Sequence, residues 1–212
     1  MDNEKVKDLI EWGYCIIIAV VIAICIKYYL GTPTVVQQDS MYSTLEQGDR
    51  LILGRLSKTL NKMPKHGEII TFEAPSKLFY EEGEADLSNP VAIYDNEPTS
   101  IFKKFTYYAL EIGKTSYIKR VIGLPGDHIV IKDGEVYLNG ELLDEPYLEK
   151  GTETVATGQF NDFYVPDNTV FAMGDHRGVS MDCRVFGCIP LDKIEGKVSL
   201  RFWPLNKFGK VN

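Results

Sequence analysis

Positions 12–26 are apolar without interruption and are closed by Lys27-Tyr28-Tyr29-Leu30, whereas beyond residue 30 apolar and polar residues alternate in short stretches. The continuous run predicts a helix, and the alternation predicts half-buried strands. Counted over 9–30, with Glu11 and Lys27 reaching toward headgroups, the helix is about 33 Å long at 1.5 Å per residue, enough to cross a bilayer. Trp12, Tyr28 and Tyr29 fall where interfacial aromatic residues are expected. A cleaved signal peptide has a similar apolar run, but no small-x-small cleavage pattern follows Leu30, and Ile24 before Cys25 does not suit lipoprotein processing. An uncleaved anchor is the expectation. Lys5 and Lys7 before the run, against Lys27 after it, place the N-terminus on the cytoplasmic side.

Past the anchor, strand patterns cover 50–56, 68–72, 116–123, 128–132, 135–138, 169–173 and 197–203. Asp133-Gly134 and Asn139-Gly140 are tight-turn signals, so antiparallel pairing is predicted. Residues 81–98 turn acidic, with Asn89-Pro90 and Glu97-Pro98 as breakers; Glu81, Glu82, Glu84 and Asp86 read as a solvated loop. Across 101–112 apolar residues recur at helical spacing, with Phe102, Phe105, Ala109 and Ile112 on one side, although the aromatic content suits a strand equally well. The predicted fold class is mainly β: a single N-terminal transmembrane helix followed by an antiparallel β-sheet domain. Its parts are a tail at 1–11, an anchor at 12–30, and a domain at 31–212 with an insert at about 76–115.

Composition narrows the functional classes. A chain of 212 residues with 44% hydrophobic content holds a real core, and a net charge of −7 without a basic stripe argues against nucleic-acid binding. Four cysteines are too few for a disulfide scaffold and lack zinc-site spacing; Cys183 and Cys188 are open to either a small disulfide loop or two separate buried thiols. His66, His128 and His176 are scattered, no metal-ligand cluster occurs, and no cofactor is implied.

The candidate chemistry lies at Ser40 and Lys119. A serine hydroxyl needs a base to act as a nucleophile at neutral pH. Lys119 stands in the apolar, β-branched run Tyr117-Ile118-Lys119-Arg120-Val121-Ile122, where burial among Tyr117, Ile118 and Val121 would lower its pKa and make the amine a general base. Reaching a value near 7 would need roughly 4 to 5 kcal/mol of ammonium destabilisation.

Four stretches in fixed order resemble motifs of bacterial type I signal peptidases, membrane-anchored serine proteases that remove signal peptides from exported proteins. They are Asp39-Ser40-Met41-Tyr42-Ser43-Thr44-Leu45, Gly48-Asp49-Arg50-Leu51-Ile52-Leu53, Lys119-Arg120-Val121-Ile122-Gly123-Leu124-Pro125-Gly126-Asp127, and Gly174-Asp175-His176-Arg177-Gly178-Val179-Ser180-Met181-Asp182-Cys183-Arg184. Only the insert resembles nothing in that family. The resemblance implies Ser40 as nucleophile, Lys119 as base, and Ser180 as the hydroxyl that orients the lysine. Arg120 is expected to pair with Asp175 or Asp182, while Asp182 and Arg184, two apart on one strand, would brace their segment. Gln38 stands where some relatives have a serine that serves the oxyanion hole, Ser43 replaces a usual proline, and His176 an asparagine. The implied partners are signal-peptide-bearing preproteins and the lipid bilayer, on which Phe202, Trp203, Leu205 and Phe208 would rest if they are not core. Other readings are a non-catalytic assembly or chaperone factor for surface proteins, motivated by Gln38 and Ser43, and a self-cleaving regulator. The latter is disfavoured by the N-terminal apolar run.

Overall fold

The computed structural model describes residues 3–60, 62–81, 83–95, 98–108 and 110–211. Helix α1, Asn3–Cys25, continues through one π turn, Ile26–Leu30. The stretch Lys7–Tyr29 is long and apolar enough to cross a membrane. Up to Cys25 its described side chains are exposed or half-exposed, Trp12, Ile17 and Ile22 among them, as in an apolar helix without a protein neighbour.

Eleven strands follow among the described residues. They are β1 Gly31–Val35, β2 Arg50–Gly54, β3 Ile69–Glu73, β4 Ser116–Gly123, β5 His128–Lys132, β6 Glu135–Leu138, β7 Glu141–Leu142, β8 Asp162–Tyr164, β9 Thr169–Met173, β10 Ile189–Pro190 and β11 Ile194–Trp203. They make a seven-stranded sheet in the order β1-β2-β11-β3-β4-β9-β10 and a four-stranded sheet in the order β7-β6-β5-β8. Each ladder is antiparallel. The expected mainly β architecture behind an N-terminal apolar helix is therefore present.

The two turn signals act as expected. Asp133 and Gly134 have φ of 53° and 80°, and Asn139 and Gly140 have 54° and 86°, the left-handed pairs that close two-residue hairpins. Strand β1 escapes the sequence pattern because Pro33 breaks it. At the edge of the sheet, however, a residue without an N–H costs no ladder bond. Strands β7, β8 and β10 are too short to show a period. The run expected at 50–56 stops at Gly54, because Leu56–Thr59 forms the short helix α2.

The main core lies where the two sheets meet. Ile129, Ile131, Val136 and Phe163 of the small sheet pack with Ile122, Val170, Phe171 and Ala172 of the large one. A second cluster, Met41, Leu45, Leu51, Leu53, Ile69 and Val198, lies around the Ser40 turn. The insert contains α3, Ile101–Tyr108, and sends Tyr80, Ala92 and Tyr94 to the main core. Glu81, Glu84 and Asp86 are exposed as expected; Glu82, Glu97 and Ala109 lie outside the described residues. Trp203, Leu205 and Phe208 are surface residues rather than core.

Candidate active site

Ser40 lies in a single 3-10 turn, Asp39–Met41, whose Met41 is anchored in the second core cluster. Lys119 lies on β4, where Tyr117 and Val121 share its face by alternation. Ile70 of β3 stands directly opposite it. Ile118, expected as a neighbour of the amine, packs instead against the Met41 cluster, because consecutive strand residues face opposite ways. Lys119 Nζ donates to Ser40 Oγ at 2.7 Å, and both residues are buried, at 1% and 7% exposed. Burial pushes the amine down from 10.5 to about 8. The fall stops short of 7 because Asp182 and Asp175 pull the value back up, while Arg184 lowers it.

The Gly174–Arg184 segment holds the Ser40 turn from behind. His176 N–H donates to Ser40 C=O at 3.1 Å, and the His176 ring contacts the Asp39 carbonyl at 3.2 Å through Nδ1. Gly174 lies so close that an added Cβ would be 2.3 Å from Ser40 O and 2.2 Å from Ser180 Oγ, so only glycine fits. Arg120 leaves the opposite face of β4 and forms a two-point pair with Asp175, at 2.9 and 2.7 Å, not with Asp182. Its guanidinium also donates to Gly67 C=O at 2.9 Å and stacks on Tyr147, with 3.9 Å from Cζ to the ring centre.

Asp182 and Arg184 do pair, at 2.8 and 2.9 Å, but not from a strand. Asp182 caps the short helix α4, Cys183–Phe186, by accepting from Arg184 N–H, and its other oxygen accepts from Gly174 N–H at 3.0 Å. A serine-, aspartate- and glycine-rich stretch favours such a cap over a ladder, which the two-residue spacing does not reveal. Ser180 Oγ is buried without a hydrogen-bond partner, so the expected bond to Lys119 is not made here. Gln38 is exposed on extended backbone, and its amide makes no hydrogen bond among the described residues. Cys183 and Cys188 are free, buried thiols, not a disulfide.

Several supporting residues carry no role in the sequence reading. Thr44 Oγ1 donates to Asp175 Oδ2 at 2.6 Å, and Arg201 spans from Thr44 C=O to Asp49, at 3.1 and 2.8 Å. Arg177, fully buried, pairs with Glu145 and donates to Gly174 C=O at 3.1 Å. Thr44 and Arg177 stand inside quoted motifs and were findable there; Glu145 and Arg201 are remote and carry no local signal. His66 and His128 pair with Asp127 and Asp162, away from Ser40. Among the described residues no group of three or more histidine, cysteine or carboxylate side chains converges on a metal position.

A serine and a lysine, joined by one hydrogen bond in a buried site and braced by buried ion pairs, form an arrangement suited to acyl transfer. A family model described as "Signal peptidase, peptidase S26" matches residues 9–203. The chain belongs to that family. Relatives within it include signal peptidase I T of Bacillus subtilis (strain 168), 31% identical over 97% of this chain and 91% of that one. Signal peptidase IB of Staphylococcus aureus is 31% identical over 95% of this chain and 93% of its own length. A crystal structure of a signal peptidase I from Enterococcus faecalis V583 aligns with 65% of this chain and 98% of its own, at 24% identity and a TM-score of 0.41. Family membership extends across the insert, although the quoted motifs do not.

Proposed function

We propose that this protein is a membrane-anchored serine endopeptidase that removes N-terminal signal peptides from exported preproteins. The observation that carries the reading is the buried 2.7 Å contact between Lys119 Nζ and Ser40 Oγ. In the reactive state the amine is neutral and the hydroxyl donates to it. Lys119 takes that proton as Ser40 Oγ attacks the scissile carbonyl; the ammonium protonates the leaving amine, and the neutral amine then activates the water that releases the acyl group. The Ser40 backbone N–H, in the first turn of its helix and so without an intrahelical acceptor, donates to the oxyanion. Ser180, whose buried hydroxyl has no other partner, receives the ammonium after Lys119 has left Ser40. Gln38 lies two residues before the nucleophile and closes over the oxyanion when substrate is bound.

In this reading residues 1–11 are cytoplasmic, 12–30 cross the bilayer, and 31–212 form the extracytoplasmic catalytic domain with the insert at 76–115. The lysine excess before the apolar run supports that orientation. The test uses the full-length chain in detergent with a preprotein carrying an Ala-x-Ala site. Cleavage at that site by the wild type, lost in both Ser40→Ala and Lys119→Ala, is expected. Cleavage persisting in either variant removes the proposed pair, and a wild type inert on every preprotein tried points to the non-catalytic assembly reading.

A further inference from the structure

Helix α3 of the insert is amphipathic the wrong way round for a soluble domain. Tyr107 turns inward, where its hydroxyl donates to Glu73 Oε1 at 2.9 Å. Ile101, Phe102 and Phe105, which share the other side, are 88%, 74% and 49% exposed. Ile112, just beyond the helix, is 63% exposed. An apolar helix face of this kind, uncovered among the described residues, needs an occupant.

The position of the insert indicates which. Lys27, at the end of the apolar stretch, pairs with Glu111 at 2.9 Å and donates to Leu110 C=O at 3.4 Å. Arg55 holds the same Glu111 carboxylate from the domain side. The insert is thus tied to the end of α1, at the height where a bilayer traversed by Lys7–Tyr29 gives way to water. Lys103 and Lys104 are exposed within α3 and have the sign that anionic headgroups attract.

We propose that α3 is a second membrane contact: it lies in the interface of a bilayer containing anionic phospholipid, with Ile101, Phe102 and Phe105 inserted. This rests on α1 being a membrane span. The contact orients the domain about the axis of α1, beside any contact made by the exposed Trp203, Leu205 and Phe208.

The test uses full-length protein with Cys15→Ser and Cys25→Ser, reconstituted one copy per nanodisc in phosphatidylglycerol and phosphatidylcholine. A nitroxide is attached through Phe102→Cys or, as a control on the small sheet, Leu142→Cys. The ratio of oxygen to nickel-chelate collision is expected to be at least fivefold higher at 102 than at 142. Lys103→Glu with Lys104→Glu should cut that ratio by half or more, though not in phosphatidylcholine alone. A separate sample labelled at native Cys15, with Cys25→Ser retained, tests the span. If position 15 reads lipid while 102 matches 142, the interfacial helix is overturned and the anchor stands. If position 15 also reads water, the anchor fails with it. Shielding at 102 that appears only with two copies per disc assigns the face to a second copy and likewise overturns the proposal.

Discussion

Gly174 meets Ser40 through backbone: a Cβ added at 174 would sit 2.3 Å from the Ser40 carbonyl oxygen, closer than nonbonded atoms tolerate. The same Cβ would meet Ser180 Oγ at 2.2 Å, so the clash cannot be relieved by one flexible side chain. Gly174→Ala is expected to cost about 1–3 kcal/mol in stability as an overpacking change. If it moves the nucleophile by about 1 Å, it is expected to lower kcat by about 100-fold. Peptide cleavage and thermal unfolding measured on the same preparation check this, and wild-type kcat in the variant would refute the coupling.

How far such relationships can be read from the chain depends on their range. Strands β4, β5, β6 and β9 match their expected bounds because each carries a β-branched run between turn residues. Ser40 and Lys119 are findable because each stands in a recognisable motif. Their contact spans 79 residues and arises from sheet topology, which no local pattern encodes. The Arg177–Glu145 pair is invisible for the same reason. The two-residue spacing of Asp182 and Arg184 points to a strand face where the structure has a cap, because a cap depends on the backbone of its neighbours. The outward face of α3 carries a clear helical period, but a period does not say what the face meets.

With Lys119 as the base, activity requires its neutral form. An amine lowered to about 8 is protonated in all but about a tenth of molecules at pH 7. The logarithm of kcat/KM is therefore expected to rise with a slope of about one per pH unit up to about 8 and then level off. A profile flat from pH 6 to 9 would exclude this amine as the titrating base.

The same burial opposes folding. The folded value lies below the unfolded one, so from about pH 8 to 10.5 the unfolded chain binds the extra proton, and stability rises as pH increases through that window. Below pH 8 the full penalty is present, about 3 kcal/mol at 1.36 kcal/mol per unit. Lys119→Met keeps a long unbranched side chain and removes the charge. It should be inactive yet melt a few degrees higher at pH 7, less whatever the lost Ser40 contact costs. Melts repeated at pH 10.5 should show the advantage largely gone; a variant less stable than wild type at pH 7 contradicts the account.

The Arg120–Asp175 pair tests how much the frame behind Ser40 matters. Both side chains are buried, and Thr44 Oγ1 also donates to Asp175. Asp175→Asn removes the buried carboxylate that Arg120 grips at two points and is expected to destabilise by about 3–5 kcal/mol. Asp175 also holds the Lys119 amine up, though less than Asp182 does, so folded protein should show reduced kcat with a breakpoint displaced somewhat below 8. Urea unfolding and a pH profile measured below the transition separate the two effects.

Asp182 offers the converse experiment. Its carboxylate raises the Lys119 amine, and its partner Arg184 lowers it, so Asp182→Asn removes a stabilising charge and leaves an opposing cation unpaired. Both changes favour the neutral amine. An asparagine oxygen can still accept from Arg184 N–H and cap α4, while the bond from Gly174 N–H to the second carboxylate oxygen is lost. The breakpoint of the pH–rate profile is then expected to move below 8, with kcat/KM at pH 6 falling less than in wild type relative to its own plateau. Global destabilisation alone lowers the plateau without moving the breakpoint. An unmoved breakpoint in folded protein would mean that Asp182 acts only as a brace.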